Sequence, residues 1–137
     1  MAEPLIRIDH VEKVYRRDQI EVPVLLGLNL DIPESEYVAL MGPSGSGKTT
    51  LLNLIAGIDS PTRGKIIVGG RDIATMGQTE LARWRSSTVG FIFQLYNLLP
   101  VLTAFENVEL PLLLTPLKKA ERKKHVETAL SIVGLAD

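Results

Sequence analysis

Cysteine is absent from this 137-residue sequence, and histidine occurs only twice. Without cysteine the chain can form neither disulfides nor a thiolate metal site, and it cannot use a thiol as a nucleophile. The two histidines, His10 and His125, lie near opposite ends of the chain, and neither has a companion at the spacing typical of metal ligands. The sequence therefore excludes thiol chemistry, and we expect no metal site built on histidine.

Neither sign of charge predominates. Fifteen lysine and arginine residues stand against 16 aspartate and glutamate residues, which gives a formal net charge of −1. Such a surface produces no overall field that would attract nucleic acid, so we expect no nucleic-acid partner. The basic run at 118–124 is interpreted as the solvated face of a helix, with contact to a phosphate-bearing surface as the alternative.

Long uninterrupted hydrophobic runs are also missing. The most apolar long stretch, 98–117, contains Glu106, Asn107 and Glu109 together with prolines. Because an ionised carboxylate is costly at the centre of a bilayer, we expect no membrane span here. With 45% hydrophobic residues, the chain can instead build the core of one globular domain.

The first part of the chain has the patterns of β-strands. Apolar residues alternate with small or polar ones at 26–32, beginning with Leu26, which is the period of a half-buried strand. A looser strand is expected before it at 5–11, and others at 65–68 and 88–93. The unbroken apolar run at 37–41 is typical of a strand covered on both faces, as in parallel sheets.

Helical patterns follow a glycine-rich segment. A short helix is expected at 49–58. Thr75 and Gln78 have the spacing of a capping box, which predicts a second helix that ends near Arg85. Trp84 in this helix is interpreted as a packing residue.

The last third of the chain is predicted to be helical. Thr103 and Glu106 again have capping-box spacing, in front of a helix that Pro111 should bend or shorten. A stripe of apolar residues at helical spacing predicts a final helix, which Gly134 would end; the stripe consists of Val126, Ala129, Leu130 and Val133. The sequence therefore predicts an α/β fold that becomes all-helical near residue 94.

Residues 42–49, Gly-Pro-Ser-Gly-Ser-Gly-Lys-Thr, match the pattern G-x-x-x-x-G-K-[ST]. Gly42 and Gly47 let the backbone turn tightly and approach a phosphate, so that its N–H groups can point at the ligand. Lys48 can place its ammonium against the β- and γ-phosphates, and the Thr49 hydroxyl can bind Mg²⁺. The alternative is a glycine turn that matches by chance. The flanking apolar run and predicted helix favour a nucleotide-phosphate site.

Several segments resemble the ATP-binding domain of ABC-type ATPases. The string MGPSGSGKTTLLNLIAG at 41–57 resembles the family's phosphate loop and helix, and the Pro-Thr-Arg-Gly turn at 61–64 resembles the turn that follows them. VGFIFQ at 89–94 is similar to the strand that delivers the Q-loop glutamine, and VEKVY at 11–15 to the A-loop. The continuation at 96–111 is similar to the lipoprotein-export and macrolide-export branch.

This resemblance extends from Leu5 to Asp137 and implies a P-loop NTPase fold of the ABC type, α/β in class, present as its N-terminal portion. That portion comprises an antiparallel β subdomain, the phosphate-loop strand and helix, and the start of the helical subdomain. The implied organisation is one partial ATP-binding domain, 1–137, with a β-rich and phosphate-loop part at 1–93. The Q-loop and the beginning of the helical subdomain occupy 94–137.

The resemblance also implies roles for individual residues. Tyr15 would stack on adenine, with a strand-end tyrosine whose hydroxyl lies in water as the alternative. Gln94 would reach Mg²⁺ and the attacking water, with an ordinary polar strand terminus as the alternative. Lys48 and Gln94 are the implied catalytic residues, and Thr49 and Gln94 the implied metal ligands. Further nucleotide contacts are expected from the loop and its flank, namely Gly42, Pro43, Ser44, Gly45, Ser46, Gly47, Lys48, Thr49 and Thr50.

Features that the family uses for hydrolysis do not occur in this sequence. Phosphoryl transfer to water needs a metal-holding carboxylate and a residue that positions the water. In this family a paired Asp-Glu supplies them, and no such pair follows residue 49; the Leu-Ser-Gly-Gly-Gln signature and the switch histidine are absent as well. We therefore expect the amino-terminal portion of a larger ATPase, itself inactive or nearly so. We expect its sheet at 37–41 to be incomplete, unless it is rearranged or completed by another chain.

The implied function is ATP binding, with hydrolysis in the full-length form, by a subunit that energises a membrane exporter. ATP and Mg²⁺ are the expected ligands. The expected partners are a second ATP-binding subunit, as a homodimer in the full-length form, and an integral membrane permease contacted at 98–102. A place in the core is the alternative for residues 98–102. A permease partner places the protein on the cytoplasmic face of the cell membrane. The alternatives are a truncated ABC-like module that binds nucleotide without turnover, and an ABC ATPase that acts in cell division or mechanical signalling.

Overall fold

A computed structural model describes residues 3–135. The chain divides into two compact units, the first ending at Phe91 and the second beginning at Ile92. The first unit contains a four-stranded antiparallel sheet in the order β2-β1-β3-β4. Its strands are β1 (Ile6–Arg17), β2 (Ile20–Ile32), β3 (Arg63–Val68) and β4 (Arg71–Asp72). The strands predicted at 5–11, 26–32 and 65–68 are thus confirmed.

The long hairpin of β1 and β2 contains a β-bulge that sets which side chains enter the core. Val11 pairs with Leu28 but Lys13 pairs with Leu25, so β2 carries an extra residue between the two pairs. Leu25 is therefore buried, whereas Leu26 is 79% exposed. The predicted alternation was wrong at Leu26, because the bulge reverses the face to which the strand's side chains point.

Two helices and the sheet enclose the core of the first unit. They are α1 (Lys48–Ile55) and α2 (Gln78–Thr88), and a 3₁₀ turn at Ile73–Thr75 precedes α2. The core is built from aliphatic residues and Trp84, which confirms the packing role predicted for that residue; its buried members are Ile8, Val11, Leu25, Leu51, Leu54, Ile66, Val68, Ile73, Leu81 and Trp84. Full burial of each large side chain contributes about 1.5–3 kcal/mol.

The predicted strand at 37–41 was wrong. The segment has no regular secondary structure, and Tyr37 is 94% exposed and Met41 90% exposed. A strand needs a neighbour to satisfy its N–H and C=O groups, and within residues 3–135 no strand pairs with this segment. Leu40 and Met41 instead line an open cavity of about 320 Å³ beside Leu25, Leu28 and Leu51.

Two further predictions, for the residues around α2, were wrong. Thr88 is the last residue of α2, and 89–93 form no strand. Thr75 and Gln78 form no capping box, because the Thr75 hydroxyl donates to the backbone oxygen of Asp72 within the 3₁₀ turn. The N-cap of α2 is Gly77, which offers no side chain.

The second unit is helical, as predicted. It comprises α3 (Ala104–Glu109), a 3₁₀ turn at Leu110–Leu114 and α4 (Lys119–Ile132). Pro111 lies in the 3₁₀ turn directly after α3, which confirms that it shortens the helix. Val126 and Leu130 of α4 are buried, but Ala129 and Val133 are exposed, so only half of the predicted stripe faces the core of this unit.

The capping box at the start of α3 is confirmed. Thr103 Oγ1 accepts from the N–H of Glu106 at 3.2 Å, and Glu106 Oε2 accepts from the N–H of Thr103 at 2.8 Å. Hydrogen bonds from the Thr103 N–H and hydroxyl hold the pKa of Glu106 below its usual value. Over residues 3–135, no helix has the length and hydropathy needed to cross a membrane.

Candidate phosphate-binding site

The loop at 42–47 ends in the first turn of α1. Its turn is closed by a hydrogen bond of 3.3 Å from the N–H of Ser46 to the Pro43 oxygen. Helical hydrogen bonding begins at once, with the N–H of Leu51 donating to the Gly47 oxygen at 2.9 Å. The N-cap residue Gly47 provides no side chain, and the first turn of α1 contains no acidic residue. The N–H groups and the positive end of the helix dipole thus favour an anion here.

The hairpin of the sheet supports the loop at Gly47. This residue has φ +87°, and a Cβ atom there would lie 3.1 Å from Leu25 Cδ2 and 3.2 Å from Val24 Cγ1. Only glycine combines this left-handed conformation with so close an approach to β2. The loop is therefore positioned by contact with the buried part of the hairpin.

The ammonium group of Lys48 lies among oxygen atoms of the loop. Nζ donates to the Pro43 oxygen at 2.6 Å, to the Gly42 oxygen at 2.9 Å and to Ser46 Oγ at 3.3 Å. These bonds hold the positive charge of Lys48 within the turn, next to the N–H groups at the start of α1. Such a set of donors, together with the exposed hydroxyls of Ser44 and Thr49, fits a polyphosphate with a divalent cation.

A second polar cluster lies on the hairpin that also contacts Gly47. Tyr15 pairs with Val22 of β2, three residues before the Leu25 that contacts Gly47. The Tyr15 hydroxyl donates to Asp59 Oδ2 at 2.8 Å, and Lys13 Nζ donates to Asp59 Oδ1 at 2.7 Å. Lys13 Nζ also lies 4.7 Å from the centroid of the Tyr15 ring. The Tyr15 hydroxyl is thus bound to protein rather than left to water.

Sequence reasoning did not identify Lys13 or Asp59. The spacing of Lys13 and Tyr15 places both on one face of β1, which is a signal that the sequence contains. Asp59 lies 44 residues beyond Tyr15, in the turn after α1, and no local pattern connects the two. The side chain of Lys13 is only 11% exposed, so its charge needs the partner that Asp59 supplies.

The environment of Asp59 favours its charged form. Partial burial by itself would raise the pKa of the carboxyl group. Hydrogen bonds from Lys13, Tyr15 and the N–H of Ser60, together with attraction by the charge of Lys13, outweigh burial and lower the pKa of Asp59 below its usual value. The cluster is therefore built around an ionised aspartate.

We expect the cluster to make stability depend on pH. A lowered folded-state pKa gives Asp59 a stabilising contribution that is complete above the ordinary carboxyl pKa of about 4 and declines as the pH falls through the folded value. Urea denaturation should show Asp59→Asn less stable than the unaltered chain near neutral pH, with a difference that shrinks in acid. Asp31→Asn, which removes an exposed ion pair with Arg7, is the matched control. A difference for Asp59→Asn that stays constant through the acid range would contradict this account.

Gln94 lies in the second unit, whereas Tyr15 and 42–50 lie in the first. It is exposed, in a bend that follows the irregular segment 89–93, so no strand delivers it. Beyond it, a largely apolar cavity of about 410 Å³ within the second unit is lined in part by Leu98, Leu99, Pro100 and Leu102. Asn107 fixes this segment, accepting from the N–H of Leu99 at 2.8 Å and donating to the Leu102 oxygen at 3.1 Å.

Comparison with known proteins gives consistent matches. Residues 25–137 match the profile of a family described as ABC transporter. An ABC transporter ATP-binding protein of Thermotoga maritima is 45% identical over 127 residues, which are 93% of this chain and 54% of the relative. The macrolide export ATP-binding/permease protein MacB of Brucella abortus is 44% identical over 134 residues, which are 98% of this chain and 21% of MacB.

Solved structures agree with the sequence relatives. The dimeric structure of MJ0796, a bacterial ABC transporter cassette, is matched with a TM-score of 0.85 and 39% identity, over 94% of this chain and 57% of that one. A post-hydrolysis state of MJ0796 bound to ADP and Pi gives a TM-score of 0.84 and 38% identity. The chain spans about half the length of these cassettes.

Proposed function

Because the chain belongs to the ABC transporter family, we propose that it binds ATP together with Mg²⁺ at the loop 42–49. The observation that carries this proposal is the Lys48 ammonium, held by three loop oxygens beside an uncapped helix N-terminus. Loop N–H groups and the helix dipole provide the remaining attraction for phosphate.

Other residues have supporting roles in this proposal. The loop residues Pro43, Ser44, Gly45 and Ser46, together with Thr50, contribute contacts to the phosphates. Thr49 and Gln94 would hold Mg²⁺, and the ion would screen the charge of the phosphates. Tyr15 provides a surface on which the adenine ring stacks, and its place on the hairpin that supports Gly47 favours this role.

For the protein in its full-length form, we propose ATP hydrolysis that energises a membrane exporter. The macrolide-export relative supports this direction of transport, and the dimeric cassette supports a second ATP-binding subunit as partner. The apolar surface at 98–102 would contact an integral membrane permease, which places the protein at the cytoplasmic face of the membrane. The proposed organisation is a β-rich and phosphate-loop part at 1–93 and a Q-loop and helical part at 94–137.

Binding without turnover is the second candidate for the 137-residue chain. The absence of an Asp-Glu pair after residue 49 favours it, because no carboxylate pair is then available to hold the metal and position the water. A role in cell division would use the same nucleotide chemistry. The sequence of a permease encoded beside this protein would separate that role from transport.

An ATPase assay on the 137-residue chain tests turnover. We expect it to release phosphate from Mg-ATP no faster than its Lys48→Ala variant, although it binds ATP. Turnover that Lys48→Ala abolishes would contradict binding without hydrolysis. It would show that the residues present here suffice for the reaction.

A further inference from the structure

We infer that Asp59 is a positioning residue for the nucleotide base, because it holds the ring of Tyr15 in the orientation on which the base stacks. The inference rests on the proposed ATP-binding function. It concerns residues 13, 15 and 59, and it adds to the phosphate loop a preformed surface for the base.

The Asp59 carboxylate accepts from three donors, two side chains of β1 and the N–H of the next residue. It accepts from the Tyr15 hydroxyl at 2.8 Å, from Lys13 Nζ at 2.7 Å and from the N–H of Ser60 at 2.7 Å. Asp59 Oδ1 accepts from Lys13 and Ser60, whereas Oδ2 accepts from the Tyr15 hydroxyl. The Tyr15 ring is consequently fixed at its outer end as well as at its backbone.

Asp59 is itself anchored to the helix that begins at the phosphate loop. Its N–H donates to the Asn53 oxygen of α1 at 3.2 Å, and the N–H of Ile58 donates to the same oxygen at 2.9 Å. One short helix thus connects the phosphate loop at its N-terminus with the support of Tyr15 at its C-terminus. The phosphate loop and the Asp59 support of Tyr15 are therefore both attached to α1.

Lys13 determines which surface of the ring remains for the base. Its ammonium lies over the ring, 4.7 Å from the centroid, and it also donates to the Ser60 oxygen at 2.7 Å. The Tyr15 residue nevertheless remains 40% exposed. Because the Lys13 ammonium lies on one face of the Tyr15 ring, a base can contact the part of the ring that stays exposed. The ring is already held in place before the base binds, which lowers the entropic cost of stacking.

A purely structural role for Asp59 is the competing explanation, since the carboxylate also neutralises a buried lysine. Removing the carboxylate would leave the Lys13 charge without its partner, and such a variant can fail to fold. Tyr15→Phe separates the two roles. It deletes only the hydroxyl that binds Asp59, and it leaves both the aromatic ring and the Lys13–Asp59 pair in place.

The test compares Mg-ATP with Mg-tripolyphosphate by titration calorimetry, because tripolyphosphate offers the phosphates without a base. We expect Tyr15→Phe to weaken ATP binding about threefold and Tyr15→Ala to weaken it roughly tenfold or more. Affinity for tripolyphosphate should be the same in all of these variants. Asp59→Asn should weaken the binding of ATP but not that of tripolyphosphate. Combined with Tyr15→Phe, it should cause no further loss of ATP affinity. Asp31→Asn, the same change at an exposed pair, should alter neither affinity.

The positioning role would be overturned if Tyr15→Phe binds ATP as tightly as the unaltered chain while Tyr15→Ala binds it less tightly. The proposed ATP-binding function would be unaffected by that result. Equal losses for ATP and tripolyphosphate would also overturn the positioning role, because the effect would then act through the phosphate loop. Failure of the proposed function looks different. In that case the unaltered chain binds neither ligand, or Lys48→Ala binds both unchanged, and the inference falls with it.

Discussion

Lys48→Ala is expected to weaken the affinity of the chain for Mg-ATP about a hundredfold, equivalent to about 2.7 kcal/mol. The lysine ammonium is the charged group that the structure places inside the loop, bound to the oxygens of Gly42 and Pro43 and to Ser46 Oγ. A phosphate that replaces those oxygens would gain charge-assisted hydrogen bonds. Alanine removes all of them at once.

Titration calorimetry with Mg-ATP measures this loss. Lys65→Ala is a matched control, because it removes an exposed lysine of the same unit that lies on β3 and outside the loop. It should bind ATP as the unaltered chain does. Equal affinities for Lys48→Ala and Lys65→Ala would show that the loop does not bind the phosphates.

Gly64→Ala is expected to destabilise the first unit by more than about 3 kcal/mol, a large part of a typical stability of about 5–15 kcal/mol. Gly64 has φ +89°, and a Cβ atom there would lie 2.6 Å from the Asp9 oxygen and in contact with the His10 backbone. Since these atoms belong to β1, the methyl group can be accommodated only if β1 and β3 separate. The pairing of β1 with β3 places Ile8 opposite Ile66, and both residues are buried in the core.

Urea denaturation of Gly64→Ala and Gly69→Ala separates the clash from backbone strain. Gly69 also has positive φ, at +55°, but a Cβ atom there would meet nothing within 4 Å. Gly69→Ala should therefore cost only about 1–2 kcal/mol, from the left-handed conformation alone. Similar losses for the two variants would contradict the close approach of β3 to β1.

Features that depend on a few neighbouring residues could be predicted from the sequence. The turn at 42–47 that leads into α1 and the capping box of Thr103 and Glu106 belong to this class, because their hydrogen bonds are made within a few positions. Even so, local spacing did not suffice for Thr75 and Gln78. The Thr75 hydroxyl donates to the backbone oxygen of Asp72 in a 3₁₀ turn instead of capping a helix.

Features that depend on distant partners could not be predicted. The apolar run at 37–41 has the composition of a buried strand, but a strand forms only beside another strand, and the described residues provide none for it. Leu26 was assigned to the wrong face because the bulge arises from the register between two strands. The bond between Tyr15 and Asp59 spans 44 residues and needs the folded hairpin and helix together.

The most direct test of the account is a thermal unfolding scan of the 137-residue chain with and without Mg-ATP, with adenosine as the ligand that lacks phosphates. A ligand that binds only the folded state adds about 2.7 kcal/mol at a hundredfold excess over its Kd. At that excess we expect a cooperative transition whose Tm rises by about 9 °C with Mg-ATP, since the unfolding entropy is about 2.1 cal/mol/K per residue over 137 residues, and hardly at all with adenosine. A cooperative transition that Mg-ATP leaves at the same Tm would contradict the claim that the loop 42–49 binds nucleotide.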